Sequence, residues 1–393
     1  MDLNFLYGLC PLSFWGYVLV AVVFVQITMM AVTLYLHRDA AHRAVDLHPA
    51  LRHFFRFWIW YSSGMVTREW VAVHRKHHAF SDLPGDPHSP VTLGLKKILL
   101  EGAEVYREST RDAAVVEQYG RGTPDDWMER HVYSSHRNLG ITTLVLVDLL
   151  LFGVPGIIIL SVQLIAMPLF AAGVINGVGH AIGYRTFECD NAARNVLPWG
   201  LLVGGEELHN NHHAFPSSAR FSMRRGEIDI GWVVLRLLSV VGLARVRKVA
   251  PRALMDAPRA VVDLDTVRTL ITARMDVLRN YARTVTLPVL KLEIARGAGS
   301  VRRLLIRHPS LLDDTSKARL QQVLAEHAAL RTVYDFRDRL SVLWSGSIGN
   351  NERLIAHLRQ WIVEAEASGV DRLQAFAQSL KGYRLANAES AAV

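Results

Sequence analysis

Apolar and charged residues alternate along this chain in blocks far longer than a helical turn. From Phe14 to Leu36 there is no charged side chain. At 1.5 Å per residue that run is about one bilayer long, and it predicts a transmembrane helix whose cytoplasmic end delivers His37. Residues 51–70 are aromatic and apolar too, but Arg52, Arg56, Arg68 and Glu69 interrupt them. A full span needs about 20 uncharged residues. This stretch therefore predicts a helix lying in or near the interface, with its arginines reaching out to water. Residues 82–90, rich in Pro and Asp with one Gly, predict a rigid turn. The mixed, charged stretch 91–138 predicts cytoplasmic helices.

Residues 139–184 carry a single charge, Asp148. They are too long for one span and suit two. Gly153, Pro155 and Gly156 mark one place for the turn, and Ser161–Gln163 another. Either way the chain leaves and returns on the side of Arg137 and Arg185, as basic flanks on the cytoplasmic side require. Residues 230–241 are apolar but too short to cross, and predict an interfacial or packed helix. Beyond about 263 the pattern becomes helical with balanced charge, over Leu264–Asn280, Lys317–Leu340 and Asn351–Glu366, the last capped by Asn350 or Asn351. The expected fold is all-α: a multi-pass membrane helical part at 1–260, with a cytoplasmic helical cap, and a cytoplasmic helical extension at 261–393.

Composition narrows the chemistry. Mean hydropathy is +0.17, high for a soluble protein, and the formal net charge is +8. Basic surface suits anionic headgroups, nucleic acid or an acidic electron-transfer partner, and charge alone does not choose. Two cysteines, Cys10 and Cys189, build neither a disulfide framework nor a thiolate metal site. Histidine is different. There are 17, and fourteen precede residue 214. His74-x-x-His77-His78 and His209-x-x-His212-His213 repeat one spacing, which puts imidazoles on one face of a helix. His37 and His42 are five apart, at a predicted helix end. His180 closes the second apolar block, four residues after Asn176. Nine imidazoles (His37, His42, His74, His77, His78, His180, His209, His212 and His213) suit two metal ions with four or five ligands each. A structural zinc site needs only four ligands, and HExxH is absent.

These residues resemble the membrane fatty acid desaturases, most closely the acyl-CoA delta-9 type and its bacterial relatives. The pattern HxxxxH, HxxHH, HxxHH stands as His37/His42, His74/His77/His78 and His209/His212/His213. Asn176-x-x-x-His180 matches a further ligand segment, Asp86-Pro87-His88 the family's DPH, and Gly205-Glu206 with His209-Asn210 its GEGxHN stretch. Glu207 stands where that stretch has its second glycine. The resemblance covers residues 14–245 and implies a histidine-held diiron centre. It also implies dioxygen as co-substrate, electrons from an external ferredoxin-, rubredoxin- or cytochrome-type donor, and a cis double bond placed in an acyl chain on coenzyme A or phospholipid. The family scaffold commonly has four spans, against three here. The end of the tail faintly resembles segments of bacterial transposases.

Further expectations follow. Glu206, Asp82 and Asp86 orient the second imidazole nitrogens; Asn176 and His88 also stand behind the ligands. Trp70 lines an apolar acyl tunnel, and Arg220, Arg224 and Arg225 hold a phosphate-bearing headgroup. The site faces the cytoplasm from a bacterial inner membrane, in contact with membrane lipid, and no nucleic acid partner is expected. The alternatives are a diiron hydroxylase or ketolase acting on lipids, carotenoids or alkanes, and a membrane-attached nucleic-acid-binding protein working through its tail.

Overall fold

In a computed structural model of the chain, the first apolar run is one helix, Phe14–Ala41. Ser13 caps it by accepting the Gly16 N–H. It runs as an α-helix to Met30 and then as a π-helix over Ala31–Ala41. A π-helix closes i→i+5 bonds; the His42 N–H bonds the His37 carbonyl at 3.0 Å. In an α-helix side chains five apart point about 140° away from each other. The wider turn instead brings His37 and His42 to one face, their rings 4.9 Å apart. The structure describes residues 4–251, 253–255, 262–294, 297–344 and 350–385.

The aromatic stretch expected as one helix over 51–70 is two, Pro49–Ser63 and Thr67–Phe80. Gly64 separates them in the left-handed region (φ 65°), with its N–H on the Trp60 carbonyl. The break turns the second helix so that it delivers His74, His77 and His78. The next apolar block turns at Gly153 (φ 62°), between Arg137–Phe152 and Val154–His180. A Cβ at Gly153 would meet the Leu6 carbonyl at 2.1 Å. Of the three expected spans, Phe14–Ala41 and Val154–His180 are long and apolar enough to cross a membrane. Arg137–Phe152 has 16 residues; at about 24 Å it stops short of a hydrocarbon core of about 30 Å. Leu19, Val22, Ile158 and Ile165 are exposed on the two long helices, an apolar surface of the kind lipid covers.

One buried ion pair fastens the first helix to the end of this part of the chain. Arg38 and Asp229 meet at 2.8 Å with side chains wholly out of solvent. Arg38 also donates to the carbonyls of Ala219 and Gly204, and its guanidinium lies 4.0 Å from the Phe221 ring centroid. Asp229 accepts the N–H groups of Phe221 and Trp232, and so caps the helix Ile230–Val240. Strands Val45–Leu47 and Ala244–Val246, remote in sequence, pair antiparallel in this unit.

The chain divides into two compact units, residues 1–185 with 192–249, and 186–191 with 250–393. The expected boundary at 260 and 261 lies outside the described residues. The second unit is helical with its own core, in which Tyr281, Trp361 and Phe376 are buried. Two helices expected to be continuous are broken. Leu264–Thr272 and Arg274–Tyr281 part at Ala273, and Asp314–Glu326 and Ala328–Ser341 part at His327. Extended backbone at His327 (φ −126°, ψ 98°) folds the last two so that Leu324 and Leu330 enter one core. Asn350 caps Asn351–Glu366 by accepting the Arg353 N–H. Strands Ala253–Met255 and Tyr383–Leu385 join the two ends of the unit.

Asp229→Ala leaves the Arg38 charge buried and unpaired. The expected loss is about 3–5 kcal/mol, the range for breaking one partner of a buried pair. Unfolding of the purified protein in detergent measures it; a loss below about 1 kcal/mol would contradict the role given to this pair.

Candidate metal centre

Each histidine cluster sits on a helix or helix end that aims it inward. On Thr67–Phe80, positions 74, 77 and 78 share a face. The short helix His209–Ala214 does the same for 209, 212 and 213, and every one of its residues is buried. Val154–His180 ends in a tight 3-10 turn that presents His180. The π-helical segment supplies His37 and His42.

Two groups of nitrogens result, each able to hold a metal ion: His37, His42, His74, His78 and His212, and His77, His180, His209 and His213. In the first, Nε2 of His212 lies 3.0 Å from that of His37 and 2.9 Å from that of His78, and the Nε2 atoms of His42 and His74 are 2.8 Å apart. In the second, Nε2 of His209 lies 3.0 Å from that of His180 and 3.2 Å from that of His213, which is 3.4 Å from that of His77. Neighbouring nitrogens on one metal, each about 2.1 Å from it, stand about 3 Å apart.

Three of the outer nitrogens face carboxylates. Nδ1 of His37 meets Glu206 Oε1 at 2.6 Å, Nδ1 of His77 meets Asp86 at 2.9 Å, and Nδ1 of His180 meets Asp82 Oδ2 at 2.9 Å. A neutral imidazole has one N–H and one lone pair. A proton held on Nδ1 by a carboxylate leaves a bare lone pair on Nε2. Hydrogen bonds among the Nε2 atoms cannot absorb all these lone pairs; a cation at each centre does. The donor set therefore fits two metal ions, and imidazole with carboxylate behind it suits iron among them.

Electrostatics keep the imidazoles in the ligating form. Burial, reinforced by the neighbouring imidazoles, holds His74, His78, His209, His212 and His213 well below the usual histidine range. Burial and the nearby Arg75 bring His42 to about 3. Burial tends to raise Asp82, but hydrogen bonds from His180, Ser89 and the Ala192 N–H outweigh it and bring its carboxyl to about 2. Glu206 behaves oppositely. Its burial pushes it up to about 8, against the pull of Arg38 and Thr33.

A cavity of about 580 Å³ reaches the centre. His37, His74, His209 and Glu206 line its inner end, with Asn176 and His88 beside them. Val73, Ile98, Met167 and Ile175 give it apolar walls. Trp70 lines it as well and stacks on His74, centroids 4.9 Å apart at 12°. His88 is buried, 4.6 Å from the His77 ring, and its Nε2 has no partner among the described residues. The three arginines expected at the headgroup do not line this cavity. Arg220, half-buried, turns its Nε to the Ser222 carbonyl; Arg224 lies 5.7 Å from the Tyr184 ring centroid; Arg225 is exposed; and the cavity wall includes none of them. The cations on that wall are Arg107 and Arg137, the latter paired with Glu69 at 2.7 Å. Sequence reasoning missed these two, as it missed Arg38, although the place of Arg38 between two ligand-type histidines was a signal. His308, His327 and His357 belong to neither nitrogen group.

Stability of the metal-free protein should depend on pH with a definite sign. His42 is near 3 when folded and 6.5 otherwise. Between those values the unfolded chain binds more protons, so stability falls as pH drops below about 6.5. Glu206, at about 8 against 4.5, works in the opposite sense. Six depressed imidazoles outside the membrane helices (His42, His74, His78, His209, His212 and His213) outnumber it. The unfolding midpoint of metal-free protein should rise from about pH 4 to pH 7; a fall over that range would contradict the assignment.

Comparison with known proteins agrees with this geometry. A model of the fatty acid desaturase family matches residues 13–227. Delta-9 acyl-lipid desaturase 1 of Arabidopsis thaliana is 31% identical over 247 residues, 61% of this chain and 78% of the relative. An sn-1 stearoyl-lipid 9-desaturase of Anabaena variabilis is 30% identical over 258 residues, 64% of this chain and 92% of the relative. A second family model, described as a transposase, matches residues 252–388. That match overturns the expectation that nucleic acid has no part here; balanced charge along the tail was too weak a ground for excluding it. For residues 13–227 the match and the histidine geometry converge: the chain belongs to the fatty acid desaturase family.

Proposed function

We propose that this chain is a membrane acyl desaturase, using two iron ions and dioxygen to place a cis double bond in a saturated acyl chain. The observation that carries this reading is the pair of Nε2 clusters, with His37, His74 and His209 on the wall of a cavity of about 580 Å³ that is also lined by apolar side chains. An unactivated methylene C–H yields to no acid, base or hydroxyl nucleophile. Iron with dioxygen supplies the oxidising chemistry that it needs. The overall balance is one saturated acyl chain, one dioxygen, two electrons and two protons in, and one unsaturated chain and two waters out. The electrons come from outside the chain.

The protein's own residues hold and aim. The nine imidazoles bind the two ions; Glu206, Asp86 and Asp82 keep His37, His77 and His180 turned inward. Trp70, Val73 and Ile175 exclude water and hold the acyl chain straight to the centre. Asn176 and His88 offer polar contacts where the cavity meets the ligands. Delta-9 position and a lipid- or coenzyme-A-bound acyl group are the finer reading, favoured by the relatives' names. Arg137 and Arg185 flank one end of the apolar hairpin; basic flanks of this kind support a site on the cytoplasmic face of the membrane, in a bacterium the inner one.

A second reading concerns residues 252–388 alone. The transposase match favours contact between the tail and nucleic acid, alongside the desaturase activity.

Expression in a host with analysis of its fatty acids, and iron analysis of the purified protein, tests the first reading. Two irons per chain and a new cis-monounsaturated acid are expected; His212→Ala should abolish the acid and lower the iron content. A hydroxylated product would favour the hydroxylase alternative, and no change in lipid would remove both. Gel-shift titration of the full chain with duplex DNA, at low and high salt, tests the second. Salt-sensitive binding is expected, and no shift at low salt would remove it.

A further inference from the structure

Glu207 is a buried carboxylate whose partners are all backbone. It is 2% exposed, and among the described residues no Lys, Arg or His pairs with it. Its Oε1 accepts the N–H groups of Leu202 at 2.8 Å and Val203 at 2.9 Å, and its Oε2 accepts that of Gly205 at 3.2 Å. Three amides of one short loop thus converge on one anion, as in the backbone nests that bind phosphates. Here the anion belongs to the same chain, two to five residues on.

What that loop carries makes its shape matter. The Gly204 carbonyl accepts from Arg38 Nη2 at 3.0 Å. Gly205, at φ 97°, lies so near Asp229 that a Cβ would come within 2.2 Å of its Oδ1. The next residue is Glu206, whose Oε1 takes the Thr33 hydroxyl at 2.6 Å and the His37 Nδ1–H at 2.6 Å. The Glu207 carbonyl is itself fixed by the Val196 N–H. The second nitrogen group takes its carboxylates from a different segment, Asp82 and Asp86.

We propose that Glu207 is a positioning residue for one of the two metal positions. By binding the amides of Leu202, Val203 and Gly205 it holds Glu206 against His37. It thereby sets the affinity of the His37, His42, His74, His78 and His212 cluster without touching any imidazole. The inference rests on the two-metal reading above. Where the resembled motif has glycine, this chain has a side chain that braces the loop from inside.

The test is a Co²⁺ titration of metal-free, full-length protein in detergent, followed by visible absorption and by competition with a chelator. Wild-type protein should take up two ions in two resolvable steps. E207G should weaken one step about tenfold, the low end of the effect of losing a residue behind a ligand, and leave the other nearly unchanged. E206Q should weaken the same step. E207Q keeps the shape but sets an amide NH₂ against the Gly205 N–H. It should lose less affinity than E207G while still shifting the spectrum of that one step. If E207G does not fold, E207Q decides alone: a wild-type spectrum at both steps overturns the proposal. So does equal weakening of both steps in E207G, which marks a general loss of structure. A wild-type chain that takes up fewer than two ions overturns the two-metal reading itself, and this inference with it.

Discussion

An imidazole has two nitrogens, and in a dry interior both must be served. The structure meets that requirement in full for three of the imidazoles, while the buried Nδ1 atoms of His209 and His212 have no partner among the described residues. Each lone pair aimed at the centre needs a cation, and each N–H on the far side needs an acceptor. Glu206, Asp86 and Asp82 meet the outer need for His37, His77 and His180. Asp86 reaches His77 from nine positions on, but Glu206 and Asp82 are remote in sequence from His37 and His180, so the chain must fold around the centre before those two pairs meet. The histidines are remote in sequence for the same reason.

Bringing charged groups into so apolar a scaffold has a local cost, and the protein confines it. Arg38 is buried but meets Asp229, two carbonyls and the face of Phe221. Phe221 in turn lies 4.9 Å from the His212 ring and 5.6 Å from His37. The ion pair and the metal-type ligands therefore share one wall. Gly204 and Gly205 let the backbone pass between them, since a Cβ on either would strike Thr33 or Asp229.

How much of this the sequence disclosed follows from the range of each interaction. The HxxHH spacing was legible because helical geometry is local: His74, His77 and His78 share a face wherever the helix lies. The pairing of a given carboxylate with a given imidazole was not, since Asp82 reaches His180 across 98 positions. The π-helical pitch at Ala31–Ala41 was also hidden, because no residue type announces it as Gly announces a left-handed turn. The absence of Arg220, Arg224 and Arg225 from the cavity wall was hidden for a related reason. Their charge was plain, but which wall a cation faces depends on the packing of distant helices. In the second unit the helices were legible and their breaks at Ala273 and His327 were not, with neither Gly nor Pro to mark them.

The change of pitch in the first helix separates two demands that one regular helix would have to meet in a single phase. Its first half presents apolar side chains outward, while its last turns must present His37 and His42 inward. The π segment works as a phase shifter between the two. The lipid-facing stripe can drift in sequence without rotating the imidazoles, whose aim is set by the wider turns that carry them. Surface and chemistry are thereby free to evolve on separate clocks within one continuous helix.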